Sequence, residues 1–224
     1  MNGILFKPDM INAIVEGRKT QTRRLDGLGE INQESNGWEI ANWQYPMTPK
    51  FAKGAVLFVR YPDEGHDLQY RAVRPRYKVG EVVYIEETYM VDRQYDHLRP
   101  SEIPKIGRKV AIWYYADGNH YADKVGEGAG KVRSPLFMPA WVARYFIQIT
   151  DVKLERLQEI TDEDAIKEGI SVVGRPELND LSKGKFRHAY ANLWDSENPK
   201  HPWASNDWVW VYTFKLVPIE LEKI

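Results

Sequence analysis

The chain has 224 residues, 43% hydrophobic and 28% charged, with a formal net charge of −1 and no cysteine. This composition excludes a disordered chain, disulfides, thiolate metal sites and a cysteine nucleophile. Any polyanion must be held by a local basic patch, because the global field does not attract one.

The length predicts one large domain, or one domain with insertions. Residues 1–6 lack a charged leader and a long apolar run, so no signal peptide is expected. No stretch approaches the apolar length of a membrane helix. Absence of cysteine fits a reducing cytoplasm, the expected compartment. The five histidines, His66, His97, His120, His188 and His201, show no metal-ligand spacing, and there is no phosphate loop of the P-loop or dinucleotide type. No metal and no cofactor is expected.

Met10, Ile11, Ile14 and Val15 recur at helical spacing, with Pro8 suited to the first turn and Gly17 to the position past the end. The helix delivers Gly17-Arg18-Lys19-Thr20-Gln21-Thr22-Arg23-Arg24, four cations and two hydroxyls in eight positions. The β-branched Thr20 and Thr22 favour an extended strand. The run reads either as a strand edge guarded by charge or as an anion or nucleotide site.

Residues 25–50 read as irregular or short-stranded, with Trp38, Trp43 and Tyr45 among polar residues. Strands are predicted over 55–60 and 69–73, joined by a turn at 62–67. Arg71, Arg74, Arg76 and Lys78 interleave with Tyr70 and Tyr77, which suits either a single-stranded nucleic acid or an ordinary loop whose tyrosines plug the core. A buried strand begins at Val82. Glu86 and Glu87 then point to opposite faces, and one turned inward would need a cation such as a nearby arginine. Residues 90–108 read as irregular, 109–115 as a strand and the segment to Ser134 as loop, including glycine-rich 126–130.

Another strand spans 144–152. Thr161 and Asp164 form a capping-box pattern for a helix that stops at Gly169. Phe186, Ala189, Tyr190, Leu193 and Trp194 make an amphipathic stripe that reads as core packing. The last strand, 208–217, is nearly continuously apolar and is predicted to be central.

Several of these stretches together resemble the ASCH family, a branch of the PUA-like β-barrel folds. They are the helix running into 16–24, Val79-Gly80-Glu81, Glu87-Thr88, Met138-Pro139 with Trp141 and Arg144, Ile149-Thr150-Asp151-Val152, the helix ending at Gly169 and the strand at Trp208. The chain looks most like the longer members often encoded by phages and prophages. The resemblance implies an α+β fold: one PUA-like barrel domain over 1–224 with flanking helices and inserted segments at about 26–76 and 90–135.

In small bacterial members the implied activity is hydrolysis of the acetyl amide of N4-acetylcytidine. Their motif lysine falls on Lys19, their second threonine on Thr22 and their acid on Glu168. Arg18, Arg23, Arg24, Glu87, Trp141 and Arg144 are the candidate substrate contacts. A nucleoside or RNA is the expected partner. Other members are implied to bind or cut RNA. Here, that alternative is a module in which Trp141, Tyr115 or the Trp38–Trp43 segment stacks bases, or a ribonuclease.

The chemistry suits amide hydrolysis, because a threonine hydroxyl needs a base to become a nucleophile. A free lysine titrates near ~10.4 and a useful base near ~7–8, so the site must supply roughly 4 kcal/mol against the ammonium. Burial and the neighbouring arginines push that way; a close Glu168 pushes the other, which casts Glu168 as orienting substrate or water. In a regular strand, positions 19 and 22 would face opposite sides.

Overall fold

The computed structural model describes residues 1–33, 37–41, 54–60, 69–103, 110–118, 128–171 and 184–218. The predicted turn at 62–67, Trp43, Tyr45, His66, His120 and residues 126–127 lie outside them. The described residues form an α+β fold of ten strands and four α-helices. The chain divides into two units, each discontinuous in sequence. One comprises Met1–Thr20, Gly80–Thr150 and Phe214–Ile224; the other comprises Gln21–Val79 and Asp151–Thr213.

In the first unit, β1 (Gly3–Leu5) pairs in parallel with β6 (Val82–Glu86), which pairs antiparallel with the start of β9 (Phe146–Arg156). A side chain at Gly3 would meet the side chain of Glu86, which would have to move aside. Helix α1 (Pro8–Val15) starts with proline, as expected, and buries Ile11, Ala13 and Ile14. A two-stranded ribbon joins β7 (Tyr89–Val91) to β8 (Ile112–Tyr114). Strand β7 lies largely where the sequence pattern is irregular. All three of its residues are buried, so it is an inside strand too short to show alternation. The core beside it gathers Tyr84, Tyr89, Val91, Met138, Val142 and Phe146.

In the second unit, β2 (Gln21–Arg24) pairs antiparallel with β10 (Trp208–Val217). The predicted hairpin is present: β4 (Val56–Arg60) pairs with β5 (Gln69–Val73), and β3 (Trp38–Ile40) adds to the other side of β4. Helix α2 (Gly29–Gln33) replaces part of the expected irregular stretch. It is held from a distance, because the Asn32 side chain accepts from the Trp208 N–H and donates to its carbonyl. Such a long-range clamp leaves no local periodicity to read. Helix α3 (Asp162–Lys167) has the predicted reciprocal cap between Thr161 and Asp164. Helix α4 (Lys185–Glu197) buries Phe186, Ala189, Tyr190 and Trp194 against Leu157, Ala165, Val209 and Val211. A large apolar side chain buried this way contributes about 1.5–3 kcal/mol.

The main sheet has the order β1-β6-β9-β10-β2, so β10 is interior as expected. Among the described residues β1 and β2 are its two edges, and no ladder closes it into a barrel.

Candidate functional site

The first candidate residues follow the end of α1. The Gly17 N–H bonds the Ile14 carbonyl at 3.0 Å and the Arg18 N–H bonds the Ala13 carbonyl at 2.8 Å, a pattern that terminates a helix with a left-handed residue. Gly17 is that residue, at φ +75°. The Lys19 N–H also bonds the Ala13 carbonyl, at 2.9 Å, so the lysine backbone is tied to the helix end. Lys19 is 2% exposed, with its Nζ 5.8 Å from the centre of the Phe6 ring. Arg18, by contrast, lies on the surface and pairs with Glu16. Strand β2 begins only at Gln21, so strand alternation does not fix where Lys19 points.

Within β2, register places Thr22 opposite Tyr212, Arg23 opposite Val211 and Arg24 opposite Trp210. Thr22 and Arg23 therefore leave opposite faces of the sheet. Thr22 is 4% exposed; burial pushes its partner Tyr212 up to about 12, and the Tyr212 hydroxyl accepts from the Arg76 N–H. Arg24 is half-buried.

Arg23 enters the face lined by Val211 and Tyr190, with no exposed side-chain surface. Its Nε and Nη2 donate to Glu155 Oε1 at 3.1 and 2.6 Å. Its Nη1 donates to Gln21 Oε1 and Glu168 Oε1, both at 2.9 Å. Asp164 lies 3.6 Å from Nη2, and the second oxygen of Glu155 holds Lys153 at 2.7 Å. Desolvation pushes the guanidinium pKa down, but Glu168, Tyr190 and Glu155 outweigh it and the net direction is up. Tyr190 is raised well above its ordinary value by burial, reinforced by Glu168.

Glu168 is the C-cap of α3, followed by Gly169 at φ +94°. Ile170 N–H returns to the Ala165 carbonyl at 3.1 Å, the same kind of helix ending as at Gly17. Glu168 is 6% exposed, unlike an ordinary helix glutamate.

A second cluster lies in the first unit. Glu87 is 1% exposed and holds Arg144 through two parallel bonds, Nε to Oε1 and Nη2 to Oε2, each 2.9 Å. Arg144 Nη1 meets both oxygens of Asp117 at 2.8 Å. The guanidinium lies 3.9 Å over the Tyr114 ring and 4.7 Å from that of Tyr145. Burial raises the Glu87 pKa and the Arg144 bonds partly offset this; Arg144 itself is raised, its two carboxylate partners outweighing desolvation. Of the adjacent pair Glu86 and Glu87, the second is the one turned inward, with an arginine as its cation. Trp141 sits in the short turn Ala140–Val142 and packs partly against the first unit's core.

The structure thus joins Arg23 to Glu168 and Arg144 to Glu87, pairs that the sequence presents as separate contacts. It adds Gln21, Asp117, Tyr114 and Glu155, which sequence reasoning misses. Glu155 escapes notice because the sequence pattern ends its strand at 152, whereas β9 runs to Arg156. Of the second basic cluster, Tyr77 is buried edge-on against Tyr212 and Arg71 pairs with Glu30. Among the described residues no group of three His, Asp or Glu is placed to hold a metal ion, and no helix is long and apolar enough to cross a membrane.

No family model and no curated protein matches the chain. Among solved structures it is similar to the crystal structure of protein EF3133 from Enterococcus faecalis V583, a DUF984 protein. The identity is 10% and the TM-score 0.39, over 97% of this chain and 76% of that one.

Proposed function

We propose that the chain is an ASCH-like, PUA-like barrel protein of the cytoplasm that hydrolyses the acyl amide of a modified cytosine-type nucleoside or RNA base, in the manner of N4-acetylcytidine amidohydrolases. The observation that supports this best is burial of the three residues the chemistry needs. Lys19, Thr22 and Glu168 are 2%, 4% and 6% exposed. Lysine is rarely this buried without a specific reason, and a lysine that acts as a base has to be desolvated, whereas the burial of Glu168 is matched by its ion pair with Arg23.

In this reading Lys19, as the free amine, takes the Thr22 hydroxyl proton while the threonine oxygen attacks the acetyl carbonyl. The C–N bond breaks, and the proton held by Lys19 passes to the departing cytosine N4 amine. Water then cleaves the threonine ester, releasing acetate and restoring the hydroxyl. Glu168 orients the substrate or that water. In a module that only stacks bases, the half-buried Trp141 and Tyr115 are the available faces, since Trp38 is 3% exposed. The test is acetate release from N4-acetylcytidine by wild type and by Thr22→Ala. Wild type is expected to release acetate and the variant to lose it by several orders of magnitude. Equal rates would remove Thr22 from the mechanism.

A further inference from the structure

We infer that the loop joining α4 to β10 carries a second catalytic site, in which His201 is the general base for cleavage of single-stranded RNA through its own 2′-hydroxyl and Asp207 is the residue that positions it. The inference uses none of Lys19, Thr22 and Glu168 and does not rest on the hydrolase reading.

Three observations carry it. First, Asp207 is 1% exposed and its Oδ2 lies 2.7 Å from Nδ1 of the half-buried His201. A carboxylate only accepts, so Nδ1 carries the proton of the neutral ring and Nε2 keeps the lone pair. Among the described residues no group is hydrogen-bonded to Nε2. Second, the loop holds this pair at a cost. Oδ1 of Asp207 is buried with no hydrogen-bond partner among the described residues. Asn206, directly before it, is the only non-glycine residue at positive φ among them, at +50°. Half-satisfied buried acids and left-handed non-glycine backbone collect at sites that use their geometry. The dyad is also pinned from outside: the His201 N–H donates to the Asn198 carbonyl, its own carbonyl accepts from the Trp194 indole, and the Asp207 carbonyl accepts from the Leu157 N–H. Third, the surroundings suit a phosphate chain with bases. Arg156 donates to the Asn206 carbonyl at 3.3 Å and lies 4.2 Å over the half-buried Trp208 ring; Arg187 lies 5.2 Å from the ring of Trp203. Cations beside aromatic faces are what a single strand requires.

With no protein hydroxyl bonded to Nε2, the nucleophile has to arrive with the substrate. RNA brings a 2′-hydroxyl and DNA does not. Nε2 takes the proton of that hydroxyl while its oxygen bonds to the adjacent phosphorus and the bond from phosphorus to the 5′ oxygen breaks. The leaving oxygen takes a proton from water, and the imidazolium returns its proton to the hydroxide so formed. The products are a 2′,3′-cyclic phosphate and a 5′-hydroxyl, and the arginines meet the charge on the phosphate.

The experiment incubates the full chain with a mixed-sequence oligoribonucleotide in the presence of a chelator and reads the ends by mass spectrometry. Wild type is expected to leave cyclic phosphate ends and to spare the same sequence as DNA or with 2′-O-methyl groups. His201→Gln is expected to lower the rate about 10²-fold or more, per folded molecule from circular dichroism. Asp207→Asn is expected to do the same by reversing the ring tautomer, since an amide can donate to Nδ1. Nitrogen-15 shifts of the His201 ring are expected to show the proton on Nδ1 in wild type and on Nε2 in Asp207→Asn. Should Asp207→Asn not fold, His201→Gln and the wild-type ring shifts decide. No cleavage by wild type, cleavage of DNA, a rate kept in His201→Gln, or a wild-type ring protonated at Nε2 alone would each overturn the inference. Acetate release from N4-acetylcytidine is read separately, so the two readings fail independently.

Discussion

Gly17 illustrates how one residue can set a site. Its φ of +75° belongs to the left-handed region, and a Cβ added there would meet no atom within 4 Å. Gly17→Ala therefore tests backbone strain alone, and a loss of about 1–2 kcal/mol in denaturant unfolding is expected. Arg144 shows the opposite kind of constraint. Removing it strands Glu87, which is 1% exposed, so Arg144→Met is expected to cost about 3–5 kcal/mol. Asp117→Asn alters the exposed side of the same cluster and is expected to stay within about 1 kcal/mol in the same unfolding measurement. Equal losses from the two variants would contradict the asymmetry drawn from their burial.

Helix α3 carries its start and its stop in the sequence. Thr161 and Asp164 satisfy each other's backbone N–H groups, and Thr161→Ala is expected to cost about 1 kcal/mol in thermal or denaturant unfolding. Partial burial pushes the Asp164 carboxyl up, but Arg23 and the Thr161 bonds hold it below its ordinary value of 3.8. A depressed carboxyl contributes stability that is present above 3.8 and is lost as pH falls below it toward the folded-state value. Asp164→Asn should therefore flatten the acid limb of a stability–pH curve and leave its slope near neutrality unchanged. The elements that are legible in the sequence share this local character. Helix α1 shows Pro8 and Gly17, α4 shows its stripe, and the bounds of β10 coincide with its apolar run. Those that are not legible depend on distant partners. Helix α2 is fixed by Trp208, β7 is too short to show a period, and β9 outlasts its apolar half because Glu155 meets a buried arginine. The site shows the same division. An adjacent acid pair in a strand makes one inward carboxylate legible, but not that Glu87 is the one or that Arg144, 57 positions on, is its cation. The grip of Arg23 on Glu168 is not legible either, because 145 positions separate them.

At the scale of the whole molecule, the candidate insertions at about 26–76 and 90–135 fall one in each unit. Each unit has its own buried arginine–carboxylate cluster: Arg144 with Glu87 in the first, Arg23 with Glu155 and Glu168 in the second. In the second, the guanidinium occupies interior space that apolar side chains could fill, which costs desolvation and restricts the geometry of the acids it holds; in the first, Arg144 is half-buried and reaches the exposed Asp117. The proposed function rests on Thr22 as the group that becomes acylated and on Lys19 as its base. The most direct measurement is the intact mass of the protein, quenched during turnover of N4-acetylcytidine and mapped by peptide. One acetyl group on Thr22, absent from Lys19→Met under the same conditions, is the predicted result. Acetate release with an unmodified Thr22 throughout turnover would contradict it.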